Sequence, residues 1–164
     1  MRHKIIKLNT MTLVGITVRT NNNDEMDPGR AKIGMLVSNY FNEQMANQIQ
    51  HRLNPGKTFA VYCEFEQQDQ GEYTYLIGEE VVAGTTQQVD CFKTMSIESS
   101  RYQKFTSKSG PMPDIVIQSW QEIWQMGAAD FVGKRQFKAD FEVYDHRAAN
   151  PEKAVIDLYI GIEG

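Results

Sequence analysis

The run Phe141-Glu142-Val143-Tyr144 alternates apolar and polar side chains, and it carries the carboxylate best placed to do chemistry. On a strand, alternate residues share a face. Phe141 and Val143 then point one way, and Glu142 and Tyr144 the other. With the apolar pair packed on helices, Glu142 is expected on an open face beside an aromatic ring. A carboxylate partly withdrawn from water and flanked by aromatic faces suits an organic cation. Tyr73 and Tyr75 share a face of their own strand and are candidates to line the same groove, although cross-strand packing accounts for them equally well. Trp120 and Trp124 stand four apart on a helical pattern. They are expected in the core, with one edge reaching the pocket, and Phe41 and Tyr40 are read the same way. Acid–base work would need a second carboxylate, and Asp157 on the last strand is the candidate partner.

Other chemistries find no support in the residues. There is no nucleophile elbow, no zinc-binding helix motif and no phosphate-cradling loop. His3, His51 and His146 are scattered, and Cys63 and Cys91 lack zinc spacing, so neither metal nor cofactor is expected. The two thiols allow one disulfide, but nothing requires it. The net charge is −4, which argues against direct nucleic-acid binding and for cationic partners. No apolar run approaches the ~20 residues of a membrane span. The basic start Met1-Arg2-His3-Lys4 leads into Ile5-Ile6 and then Lys7, which is no leader sequence. A reduced cytoplasmic setting is the expectation.

The elements that must position Glu142 follow from periodicity. Thr12–Thr20 is β-branched and alternating, hence a strand. Asp27-Pro28 offers an N-cap and a first-turn proline. Ile33, Leu36, Val37, Tyr40, Phe41 and Met45 then recur at helical spacing, which predicts a helix reaching Ile49 or His51 before Asn54-Pro55-Gly56. Strands are predicted over Thr58–Phe65 and Tyr73–Val82. An extended segment follows over Cys91–Phe105, broken near Ser99-Ser100. A second helix is predicted from Pro113 to Gly127 with Val116, Trp120, Ile123 and Trp124 on its apolar face. Strands over Phe137–Asp145 and Ala154–Ile162 close the chain.

The order strand, helix, strand, strand thus occurs twice. Phe59-Ala60-Val61-Tyr62 aligns with Phe141-Glu142-Val143-Tyr144, Ile77 with Tyr159, Val37 with Trp120 and Phe41 with Trp124. Such spacing indicates pseudo-repeats, about 12–82 and 91–162, within one domain spanning 1–164. The expected fold is α+β: duplicated strand–helix–strand–strand units forming a curved antiparallel sheet, two helices on one face and a central ligand groove on the other. Exposed sheet edges permit a homodimer. The Glu142 position is Ala60 in the first half, so the groove holds that carboxylate once.

Five motifs in order resemble a known family. Ser100-Arg101-Tyr102-Gln103-Lys104-Phe105 followed by Gly110 resembles the Gly-x-Tyr-x-x-Phe…Gly strand of the GyrI-like (AraC-type effector-binding) domains. Trp120-Gln121-Glu122-Ile123-Trp124 resembles their second helix, and Tyr73-Thr74-Tyr75-Leu76-Ile77-Gly78 their mid-domain strand. Phe141–Asp145 and Ile156–Ile160 resemble their closing strands. Two positions depart from the pattern. Ser100 or Arg101 stands where the family has glycine, and Ala154 falls where some drug sensors carry an aromatic. The resemblance implies a pocket for lipophilic, often cationic, molecules, with the pocket Glu at Glu142, its neighbour at Tyr144, and aromatic positions at Tyr75 and Phe41. It implies a stand-alone sensor domain, since the eleven residues before Thr12 are too few for a helix-turn-helix. A binding module rather than an enzyme is the first expectation. Hydrolysis of reactive cyclopropanoid compounds by the same Glu, and inhibition of gyrase through protein contacts, are the alternatives.

Overall fold

A computed structural model describes residues 1–68 and 70–163. Eight strands form one antiparallel sheet: β1 Arg2–Leu8, β2 Met11–Thr20, β3 Thr58–Cys63, β4 Tyr73–Val81, β5 Lys93–Ile97, β6 Ser100–Thr106, β7 Ala139–Tyr144 and β8 Asp157–Ile162. Their spatial order is β1-β6-β8-β7-β3-β4-β2-β5. The order is symmetric about the β7–β3 contact, so the duplication read from the sequence is present in space. Three α-helices accompany the sheet: α1 Asn22–Glu25, α2 Ile33–Asn42 and α3 Asp114–Gln125.

The leading strands of the two halves are exchanged. β1 precedes the first half but pairs with β6 of the second, and β5 precedes the second half but pairs with β2 of the first. The segment Arg2–Leu8 was not anticipated as a strand, because its lysines and arginine break the apolar alternation. Charged residues are common on edge strands, where they discourage further pairing. The break at Ser99-Ser100 is where the chain passes from β5 to β6.

The register corrects one detail of the repeat. β3 aligns with β7 as the sequence indicates, but Phe59 pairs with Gly78 while Phe141 pairs with Tyr159. Tyr159 therefore corresponds to Gly78, and Ile77 corresponds to Leu158. A shift of one residue changes the face of the sheet. Accordingly Ile77 packs beneath α2, whereas Tyr159 lies in the cluster on the opposite face.

The helices also depart from expectation. Asn21, not Asp27, caps a helix: its side chain accepts from the Asp24 N–H and starts the short α1. Helix α2 begins at Ile33 without a side-chain cap and ends at Asn42, after which Gln44 is left-handed and a 3-10 turn covers Met45–Gln48. Of its residues only Tyr40 is buried, and the Tyr40 hydroxyl donates 2.6 Å to Glu79 of β4. Helix α3 is anchored more deeply, through Ile115, Ser119, Trp120 and Ile123.

Both faces of the central strands are covered, and this decides where Glu142 points. Phe59, Val61, Leu76, Tyr102, Phe141 and Val143 belong to one cluster, against which Ile6 and Leu8 of β1 and Met95 of β5 pack. The exchanged arms, rather than the helices, bury this face. Phe141 and Val143 therefore do not pack on the helices. Glu142 does, and the expected separation of the carboxylate from the helical side is corrected. Depressions of about 460 and 190 Å³ do lie on the helix-free face, lined in part by Cys63, Met95 and Tyr102 and by Phe59, Phe141 and Tyr159.

At Gly15 and Gly78 the β2–β4 ladder closes to a distance no side chain allows. A Cβ on Gly78 would sit 2.1 Å from the Val14 carbonyl oxygen, while one on Gly34 in α2 would meet nothing within 4 Å. Gly78→Ala is expected to cost about 2 kcal/mol or more in denaturant unfolding, and Gly34→Ala to raise stability by about 0.5–1 kcal/mol. A harmless Gly78→Ala would show that the strands part freely at this point.

Candidate functional site

Glu142 lies at the centre of the fold. It pairs across the β3–β7 ladder with Ala60, its own counterpart in the other half. The pseudo-twofold axis thus runs between a carboxylate and a methyl group. Duplication supplies a symmetric frame, and one substitution within it makes a single charged point.

The carboxylate is 1% exposed. Three side chains donate to it. The Tyr62 hydroxyl reaches Oε1 at 2.9 Å, the Trp120 indole N–H also donates to Oε1, and the Tyr144 hydroxyl donates to Oε2. Each donor comes from a different element. Tyr62 projects from β3 and Tyr144 from β7 on the helix side of the sheet. Trp120 descends from α3, whose Ile115 and Ile123 hold it against the sheet. All three donors are neutral. Among the described residues no ion pair to Glu142 is formed.

Burial consequently raises the Glu142 carboxyl above its ordinary range, and the bonds from Tyr144, Trp120 and Tyr62 pull it back in part. Desolvation, reinforced by the Glu142 charge, pushes the phenols of Tyr62, Tyr75 and Tyr144 well above their ordinary value. They remain protonated and able to donate. The arrangement stabilises a negative charge by dipoles alone, and it is costly to hold in that form.

Aromatic rings wall the carboxylate. Tyr62 meets Trp120 and Tyr75 edge-on at 5.2 Å each, and Tyr73 at 5.7 Å. The structure thus brings Glu142, Tyr144 and Trp120 together, with Tyr75 one ring further out. Tyr62 was overlooked as a site residue. It could have been found as the counterpart of Tyr144 in the aligned strands, on the same face as the Ala60–Glu142 pair. Trp124 and Phe41 stand apart, 55% and 51% exposed. Trp124 touches the site only through Trp120, at 6.2 Å, and Phe41 packs on Tyr40 at 5.5 Å. Trp124 is therefore not core, because α3 turns its Ile115–Ser119–Ile123 stripe inward instead.

Asp157 does not pair with Glu142. It pairs with Val143 in the ladder and points to the helix-free face, where Arg147, Lys104 and Thr106 hold its carboxylate below the ordinary range against the opposing effect of burial. Cys63 and Cys91 are free, and the buried Cys63 thiol is pushed up to about 12 by desolvation. Among the described residues no group of three or more His, Cys, Asp or Glu side chains is placed to hold a metal ion. No helix among them is long and apolar enough to cross a membrane.

Known proteins share this frame. A family model described as integron-associated effector binding protein matches residues 4–162. A Bacillus subtilis (strain 168) protein, YobU, named as a candidate transcriptional regulator, is 29% identical over 164 residues, covering 97% of this chain and 96% of its own. Among solved structures, an integron cassette protein of Vibrio cholerae superposes with a TM-score of 0.79 at 24% identity, over 98% of this chain and 95% of that one. The protein SAV2435, solved bound to tetraphenylphosphonium, superposes with a TM-score of 0.77 at 17% identity, over 100% and 95%. At these identities the two structures establish a common fold.

The raised Glu142 carboxyl makes a pH prediction with a definite sign. Between its ordinary value of 4.5 and its higher folded value, the native protein holds a proton that the unfolded chain has released. Stability from this group therefore falls as pH rises through that window. The stability of Glu142→Gln relative to wild type should increase from pH 4.5 upward and level off once the native carboxyl has ionised. A difference that is flat with pH in parallel urea titrations would show that the carboxyl is not perturbed.

Proposed function

The chain belongs to the integron-associated effector-binding protein family, whose fold is GyrI-like, and from that premise we propose that its effector is a lipophilic organic cation bound at Glu142. One observation carries the reading: a fully buried carboxylate, central to the fold, is solvated by three neutral donors and, among the described residues, pairs with no cationic side chain. A charge in that state lacks a counter-ion, and a ligand that brings one relieves the deficit. The rings of Tyr62, Tyr144, Trp120 and Tyr75 offer aromatic faces to a cation and apolar area to its substituents. The cation bound to SAV2435, a protein of the same fold, supports the choice of ligand class.

The donors have distinct tasks in this reading. In the free protein Tyr62, Tyr144 and Trp120 hold the carboxylate charge. When the cation arrives, the phenols remain neutral, so the positive charge meets an anion and ring faces with no competing cation beside them. Trp120 links the site to α3, and occupancy of the site bears on that helix through this side chain.

Two measurements test the proposal. Tetraphenylphosphonium and neutral triphenylphosphine oxide are compared by titration calorimetry on wild type and Glu142→Gln. The cation should lose about tenfold or more in affinity, since an opposite charge at short range is removed, and the neutral compound should change little. Equal losses for both would sink the role of the charge. Cation binding should also release protons below the folded pKa of Glu142, because the ligand favours the ionised carboxylate. Apparent enthalpies in buffers of different ionisation heat report that release, and its absence throughout the acid range in which the free protein keeps this proton would mean the cation sits elsewhere.

A further inference from the structure

Two residues along β7 from Glu142, a second buried carboxylate already holds a cation, and that cation is the protein's own. Asp140 is 2% exposed. Its Oδ2 accepts from Arg135 Nη2 at 2.9 Å, and its Oδ1 accepts from the Gly161 N–H at 2.9 Å. The Arg135 guanidinium lies over the Phe137 ring, 4.2 Å from its centroid, and its Nε is buried without an acceptor. Carboxylate, aromatic face and cation make the same combination that Glu142 offers, here with every place filled.

The two places are joined by a row of rings. Phe137 meets Phe65 at 6.0 Å, Phe65 meets Tyr73 at 5.9 Å, Tyr73 meets Tyr62 at 5.7 Å, and Tyr62 donates to Glu142. The backbone at the outer end is strained. Phe137 has φ of 54°, and Glu64, which presents Phe65, has φ of 52°. A bulky residue persists in the left-handed region only where its surroundings over-determine it, and such residues cluster at ligand clamps.

We infer that Arg135 is a specificity-determining residue: its guanidinium fills the second of two cation subsites along β7, so the site admits ligands with one positive charge and rejects those with two. The inference rests on the reading of Glu142 as the counter-ion. Alternate residues of a strand are roughly 7 Å apart. The second charge of a dication anchored at Glu142 therefore meets either the Arg135 guanidinium or a carboxylate that the guanidinium occupies. The far end of a favoured ligand is neutral and flat, and it lies against Tyr73 and Phe65.

The test compares (7,7-dimethyloctyl)trimethylammonium with hexane-1,6-bis(trimethylammonium), which differ only in that a quaternary nitrogen replaces a neutral quaternary carbon at the far end, by titration calorimetry. Wild type should bind the monocation in preference to the dication. In Arg135→Met the dication-to-monocation affinity ratio should rise about tenfold or more, because the repulsive element is gone and a buried carboxylate is freed. Arg135→Gln, which keeps a donor for Asp140, should move the ratio in the same direction and serves if the Met variant does not fold. Arg135→Lys should keep the wild-type ratio. Arg135→Met/Asp140→Asn removes both partners and leaves no unpaired buried charge, so it should fold and show a smaller gain than Arg135→Met, from the lost repulsion alone. An unchanged ratio in both neutral variants, or a gain in the double variant as large as in Arg135→Met, overturns the inference. Failure of wild type to bind the monocation would instead count against Glu142 as counter-ion. In that event the role of Arg135 stands or falls on whether the dication binds Arg135→Met more tightly than wild type.

Discussion

A carboxylate withdrawn from water at the pseudo-twofold axis, with dipoles around it and no opposite charge, constrains much of this structure. Such a group must be given donors. Here they are Tyr62 from the first half, Tyr144 from the second and Trp120 from the helix behind, so the site exists only when both halves and α3 are assembled. The neutrality of the three donors leaves the charge without a counter-ion among the described residues.

The rest of the sheet can be seen as the means of keeping water from that point. On the helix side, α3 is held by Ile115, Trp120 and Ile123, whereas α2 is held by Tyr40 and its bond to Glu79. On the other side, the exchanged strands β1 and β5 pack against the cluster of Phe59, Phe141 and Val61, so the central strands are buried on both faces. The buried charges away from the centre have cationic partners on hand. Asp140 has Arg135, Asp157 has Arg147 and Lys104, and Glu79 has Arg52 at 4.0 Å. Glu142 stands out against them: among the described residues, only neutral donors compensate its burial.

Duplication explains how one asymmetric point arises in a symmetric frame. The β3–β7 ladder places the Ala60 and Glu142 positions opposite each other. Two carboxylates there would repel across the axis, and two methyl groups would bind no charge. The single acid makes the site asymmetric, and the Tyr62 and Tyr144 pair, counterparts in the two halves, keeps the pseudo-twofold symmetry around it.

The sequence alone determined the repeat, the α+β class, the alternation along β7 and the family, because each is written in local periodicity or in short motifs kept in order. It also marked Glu142, as a lone acid in an aromatic strand with a methyl group as its counterpart. The tertiary structure decided which face that acid occupies. Phe141 and Val143 are as apolar as any helix-packing pair, but the face they share is covered by strands from distant parts of the chain, and hydrophobicity records burial without recording what does the burying. The same reason separates Ile77 from Tyr159, whose faces depend on a one-residue difference in register between the halves. It also sends Trp124 to the surface while Trp120, one turn earlier on α3, reaches the carboxylate.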